Sequence, residues 1–61
     1  MKDMHAHLEK LRAQVTECEM IRDLATDPAK RELFDRLARH HKTLADEIER
    51  EIAKQASAGK T

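Results

Sequence analysis

Residues 25–28 read Ala25-Thr26-Asp27-Pro28 and separate two stretches of helical periodicity. Pro28 lacks a backbone donor and disfavours the α conformation at Asp27, so a helix must end before this point. Asp27 suits the N-cap of a second helix with Pro28 at its first position, and Thr26 is the alternative cap. Because so few residues connect the helices, they must lie antiparallel. The sequence therefore predicts an all-α, antiparallel two-helix hairpin.

The bounds of this hairpin follow from the same break. We predict one domain over residues 1–56, with helix 1 over about 2–25, a turn at 26–27 and helix 2 over about 28–56. The remaining segment, Ser57-Ala58-Gly59-Lys60-Thr61, is expected to form a flexible tail.

Apolar residues recur every three or four positions along helix 1, at Met4, Leu8, Leu11, Val15 and Cys18. Continuing this seam reaches Arg22, whereas Met20, Ile21 and Leu24 lie away from it. Two explanations of the wider apolar surface near the turn stay open. The second helix covers it, or it binds another chain.

The apolar stripe of helix 2 is broader, and covers an arc of roughly 140° at 3.6 residues per turn. Its members are Leu33, Phe34, Leu37, Ala38, His41, Leu44, Ala45, Ile48 and Ile52. This width is typical of a helix that contacts two neighbours, which predicts that two hairpins pair into a four-helix bundle. The predicted interface residues are Leu8, Leu11, Val15, Cys18, Ile21, Phe34, Leu37, His41, Leu44, Ile48 and Ile52, with Thr26, Asp27 and Pro28 in the turn.

The residues that could support metal or catalytic chemistry are few. His5 and His7 form one pair and His40 and His41 another. With a pivot at residues 26–27, the pairs stand on the order of 10 Å apart along the hairpin, so that metal binding would need a second chain. On the same pivot no histidine is level with Cys18, which we interpret as a buried, inert thiol. We therefore predict no catalytic residue, no metal and no cofactor.

Two polar residues interrupt the apolar stripes. His41 is either a histidine at the edge of the core, hydrogen-bonded to a polar group, or a pH-responsive interface residue, since burial beside apolar side chains penalises its charged form. Arg22 is expected either to extend its charged group into solvent or to pair near the turn, with Glu32 as a candidate partner.

Composition excludes several classes of protein. Twelve acidic residues balance twelve basic ones, and Phe34 is the only aromatic residue, which argues against a general nucleic-acid binder. One cysteine excludes a framework of internal disulfides. The sequence contains neither an apolar run of membrane-spanning length nor a signal-type core, so we expect no membrane association and a cytoplasmic location.

Several of these residues resemble a group of short bacterial proteins of unknown function. The resemblance rests on Cys18, Leu24-Ala25-Thr26-Asp27-Pro28, Arg31, Leu37-Ala38 and Leu44-Ala45, over residues 18–48. It implies a bacterial helical hairpin and assigns no functional residues.

Together these features predict a non-catalytic, self-associating helical protein, most simply a homodimer that acts as a protein-interaction or regulatory module. The target of such a module is not encoded in any recognisable motif. The alternative is a small regulator associated with nucleic acid.

Overall fold

Two helices joined by a short linker form the described part of the protein. The computed structural model describes the backbone of residues 2–59 and the side chains of residues 3–56. Helix α1 spans Lys2–Leu24 and helix α2 spans Pro28–Gly59, and they pack against each other in a hairpin 52 Å long. The predicted all-α hairpin is confirmed. Along residues 2–59, neither helix combines the length and the apolar character that crossing a membrane requires.

The helix ends differ from the predicted bounds on both sides. Helix α1 ends at Leu24 rather than Ala25, and α2 continues beyond Ala56 to Gly59. Ser57, Ala58 and Gly59, which we assigned to the tail, are therefore helical, while Lys60 and Thr61 lie outside the described residues. Serine and alanine are compatible with a helix, and glycine is the residue that most often ends one.

Asp27 caps the start of α2. Its Oδ1 atom accepts a hydrogen bond from the Ala29 amide at 3.3 Å, and its backbone carbonyl accepts one from the Arg31 amide at 3.0 Å. Pro28 follows as the first helical residue, where its missing amide costs no hydrogen bond. The cap is thus Asp27 and not the alternative, Thr26.

Replacing Asp27 with alanine should lower the free energy of unfolding by about 1 kcal/mol, because the first turn of α2 loses its capping oxygen. Urea denaturation followed by circular dichroism measures the change. Thr26→Ala is the matched control, since Thr26 is a neighbouring exposed residue that does not cap the helix. Equal losses for the two variants would contradict the assignment.

The core is a narrow seam between the helices. Leu8, Leu11 and Cys18 of α1 and Ala38 and Ala45 of α2 are buried. Around the Leu8–Leu11–Ala45 cluster pack three half-buried side chains of α2, which are Leu44, Ile48 and Ile52. The two alanines lie one heptad apart, and their small side chains allow the helix axes to approach closely.

Two ion pairs between the helices fix their register. Arg22 lies beside Asp35 near the turn, and Arg12 lies beside Glu49 towards the open end. The Leu8–Leu11–Ala45 cluster shows the same antiparallel order, since residues of the first half of α1 pack against a residue of the second half of α2.

Candidate interaction surface

The predicted interface residues divide into two groups in the hairpin. Leu8, Leu11 and Cys18 are buried between α1 and α2. The others are half-buried within a single chain, and these are Val15, Ile21, Phe34, Leu37, His41, Leu44, Ile48 and Ile52. The turn residues Thr26, Asp27 and Pro28 are exposed. The contact between α1 and α2 therefore leaves much of the apolar stripe of α2 only partly covered.

The side of α2 that faces α1 is one edge of its apolar stripe. Taking Leu37 as zero, the buried Ala38 and Ala45 lie at roughly 100° and 80° around the helix. Leu33, Leu37, Leu44 and Ile48 lie between roughly −40° and 20°. The large side chains are thus centred about a quarter of a turn away from the direction of α1.

One flank of the seam is polar. Asp35 and Glu49 of α2 lie at roughly 160° and 120°, beyond the buried alanines, and each forms an ion pair with an arginine of α1. We call the four residues of these pairs, Arg12, Glu49, Arg22 and Asp35, the polar flank. Charged groups close this side of the hairpin.

Arg22 pairs with a different carboxylate from the one we predicted. Its Nη1 atom donates a hydrogen bond to Oδ1 of Asp35 at 3.0 Å, and its Nε atom donates to Oδ1 of Asp23 at 3.1 Å. Glu32 is exposed and is not the partner that the structure shows. The hydrogen bonds to Asp23 and Asp35 raise the pKa of Arg22 above its ordinary value. Asp35 also lies 3.2 Å from Nη2 of Arg39, so it bridges two arginines.

The opposite flank is apolar. We define the apolar flank as Leu33, Leu37, Leu44 and Ile48 of α2 together with Ile21 of α1. Leu33 is 44% exposed and the other four are half-buried. Ile21 belongs to this side because it lies roughly 80° from Leu11 in the direction away from Arg12. This surface is the part of the hairpin best suited to contact a further apolar helix.

Two apolar residues near the turn lie outside both flanks. Met20 is 58% exposed and Leu24 is 78% exposed. The second helix therefore does not cover them, and the first of the two explanations left open by the sequence is wrong for these residues. Because isolated exposed apolar side chains are common on protein surfaces, Met20 and Leu24 alone do not define a binding site.

The histidines do not converge within the hairpin. His5, His7 and His40 are exposed, and the rings of His40 and His41 lie edge to face with centroids 6.1 Å apart. Among the described side chains, no group of three or more histidine, cysteine or acidic residues is arranged to hold a metal ion.

His41 is hydrogen-bonded within its own helix, since its Nδ1 atom lies 2.7 Å from the Leu37 carbonyl oxygen and shares a hydrogen bond with it. This contact with a polar group is the one that the interpretation of His41 as a histidine at the edge of the core requires. Cys18 is a buried free thiol that packs in the seam.

Two surface grooves among the described residues are lined largely by charged side chains and lie away from the apolar flank. One groove of about 360 Å³ runs along the polar flank, where Arg12, Lys42, Asp46 and Glu49 contribute charges of both signs. A second, of about 490 Å³, is lined by Asp46, Glu49, Arg50 and Ala53 of α2. The mixed charge favours water and counter-ions over one class of small-molecule ligand.

Comparison with protein families, with curated proteins and with solved structures finds no match to this chain. The apolar flank is consequently the feature of the hairpin that most directly indicates a function.

Proposed function

We propose that this protein is a non-catalytic, self-associating helical module that functions as a homodimer and presents its outer surface to a protein partner. The observation that supports this most directly is the apolar flank. Leu33, Leu37, Leu44 and Ile48 are large side chains at helical spacing that α1 covers only in part. A second helix on this side would remove them from water, and each large side chain fully buried contributes about 1.5–3 kcal/mol.

The arrangement of the two flanks supports a four-helix bundle as the form of the dimer. On α2, the direction of α1 and the centre of the apolar flank differ by roughly 90°. In a four-helix bundle each helix packs against two neighbours at about this angle. A chain of 61 residues also gains from association, because domains of this size rarely derive more than about 3–5 kcal/mol from one core.

A structural or regulatory role is part of the same proposal. The described side chains include no nucleophile hydrogen-bonded to a base, and the only free cysteine among them is buried in the seam. The alternative of a nucleic-acid-associated regulator has less support, since Arg22 and Arg39 are bound to Asp35 and Arg12 is bound to Glu49. The cytoplasmic location and the bacterial origin, drawn from composition and resemblance, belong to this proposal as well.

The test is the dependence of mass and stability on concentration. We expect light scattering to give about twice the chain mass of 7.1 kDa, and the melting temperature to rise with protein concentration, because dimerisation is coupled to folding by mass action. A mass of one chain at the highest concentration, together with a sharp unfolding transition, would overturn the proposal. Retention on DNA that weakens with salt would instead favour the nucleic-acid alternative.

A further inference from the structure

The residues on the exposed face of α2 are spaced symmetrically about one point of the helix. From the point between His40 and His41, a leucine lies three residues outward on each side, at Leu37 and Leu44. Leu33 and Ile48 follow four residues further out, and Lys30 and Glu51 follow after three more. Apolar residues therefore match apolar residues about this midpoint, and a basic residue matches an acidic one.

These eight residues share one face of the helix. With Leu37 as zero they lie between roughly −60° and 40°, and the apolar members are those of the apolar flank. None of the eight is buried within the hairpin, since Lys30, Leu33, His40 and Glu51 are exposed and the rest are half-buried. The repeated spacing thus occurs on the face that remains open after α1 has packed.

A two-fold axis converts such a spacing into a set of contacts. In a symmetric dimer, if residue i contacts residue j of the second copy, then j contacts i. Two α2 helices that cross this axis antiparallel, midway between His40 and His41, bring Leu37 against Leu44 and Leu33 against Ile48 of the other copy. Each apolar contact is then made twice.

Charge selects this register over others. The antiparallel pairing places Lys30 opposite Glu51 at both ends of the interface. At the edge of this interface, Arg36 and Glu47 lie at roughly −100° and −80° around α2, on the side where the two copies approach each other. Arg36 of one copy and Glu47 of the other are within about 3 Å of the same height along the helices. Arg36 and Glu47 are exposed, and the ion pairs among the described side chains do not involve Lys30, Arg36 or Glu47. Glu51 has only a distant neighbour, Lys54, at 4.0 Å. A parallel pairing would place Lys30 against Lys30.

We infer that a second copy of this chain docks on the apolar flank through an antiparallel α2–α2 contact whose two-fold axis passes between His40 and His41. This inference rests on the proposed homodimer and specifies its register. The ion pairs between Lys30 and Glu51 close both ends of the apolar contact, and the four imidazoles of His40 and His41 gather near the axis. Both copies of α1 lie on the same side of the two α2 helices, as a four-helix bundle requires.

Charge reversal tests the ends of the interface. Lys30→Glu and Glu51→Lys should each weaken the dimer about tenfold, because each creates two like-charged contacts per dimer. Combining both changes should restore the dissociation constant to within about twofold. Arg31→Glu is the matched control, since it makes the same charge change in the same helical turn but lies roughly 100° away, and it should leave the dimer unchanged. Sedimentation equilibrium at low salt measures all four.

Crosslinking tests the axis. In a Cys18→Ser background, His40→Cys should be joined into a covalent dimer by a short bismaleimide, because residue 40 lies beside its own counterpart. Leu33→Cys should not, since its counterpart is about 22 Å away along the helices. Efficient crosslinking through Leu33→Cys would show a parallel dimer, and a double charge reversal that fails to restore affinity would show a different face. Either result overturns the register and leaves the homodimer standing. A monomeric wild-type protein overturns both.

Discussion

Replacing Leu11 with alanine should lower the free energy of unfolding by about 2–5 kcal/mol, the usual cost of truncating a buried leucine. Leu11 is 5% exposed and belongs to the buried Leu8–Leu11–Ala45 cluster of the seam. Ala45, which packs in the same cluster, carries only a methyl group and cannot fill the space that the leucine side chain leaves. Since a chain of this length derives only about 3–5 kcal/mol from its core, the variant should be largely unfolded at room temperature.

Urea denaturation at one fixed protein concentration measures this loss, so that association does not alter the comparison. Met20→Ala is the matched control, because it truncates a large apolar side chain on the same helix that is 58% exposed. We expect it to change stability by less than about 0.5 kcal/mol. Equal effects at the two positions would mean that the seam observed between α1 and α2 is not the core of the folded protein.

The hairpin could be predicted because one short segment determines it. Pro28 cannot continue a helix from Asp27, and Asp27 can cap the next one, so the sequence around them encodes both an end and a start. The observed hydrogen bond from the Ala29 amide to Asp27 is the contact that this chemistry requires. The burial of Leu8, Leu11 and Cys18 could also be predicted, since spacings of three and four residues place them on one side of a helix.

The register could not be predicted from the same residues. It depends on how far the linker extends before α2 turns back, which is a property of three-dimensional path rather than of periodicity. The partner of Arg22, which is Asp35 and not Glu32, depends on this register. A helical-wheel projection of α2 likewise shows how wide its apolar stripe is, but it does not show against which edge of that stripe α1 packs. That edge became visible only when Ala38 and Ala45 proved to be the buried residues.

The candidate interaction surface was partly visible in the sequence. Leu37, Leu44 and Ile48 were assigned to the interface from their spacing, and they remain only half-buried in the hairpin. Lys30 and Glu51 were not identified, although their symmetric spacing about residues 40 and 41 was available as a signal. The spacing gains meaning once α1 is known to leave this face open.

The second large effect should come from Leu37→Glu, which we expect to weaken the proposed dimer at least about 100-fold. Leu37 lies at the centre of the apolar flank, and in a symmetric dimer each substitution occurs twice, so that one carboxylate enters each of the two Leu37–Leu44 contacts. A charge buried without a partner costs several kcal/mol, and each 1.4 kcal/mol changes the dissociation constant by about tenfold. Glutamate is a good helix former and Leu37 is half-buried, so α2 and the seam with α1 should persist in the resulting monomer.

Leu24→Glu is the matched control for Leu37→Glu. It adds the same charge to another leucine, one that is 78% exposed and lies outside the apolar flank, and it should leave the dimer intact. Light scattering over a range of concentrations measures assembly for both variants, and circular dichroism measures how much helix each retains. If Leu37→Glu stays dimeric, the apolar flank is not where the copies meet. If both variants become monomeric with full helix content, the contact extends to the turn, where Met20 and Leu24 are exposed on the outer side of α1. If the copies meet through the apolar flank, Leu37→Glu dissociates the dimer and Leu24→Glu does not.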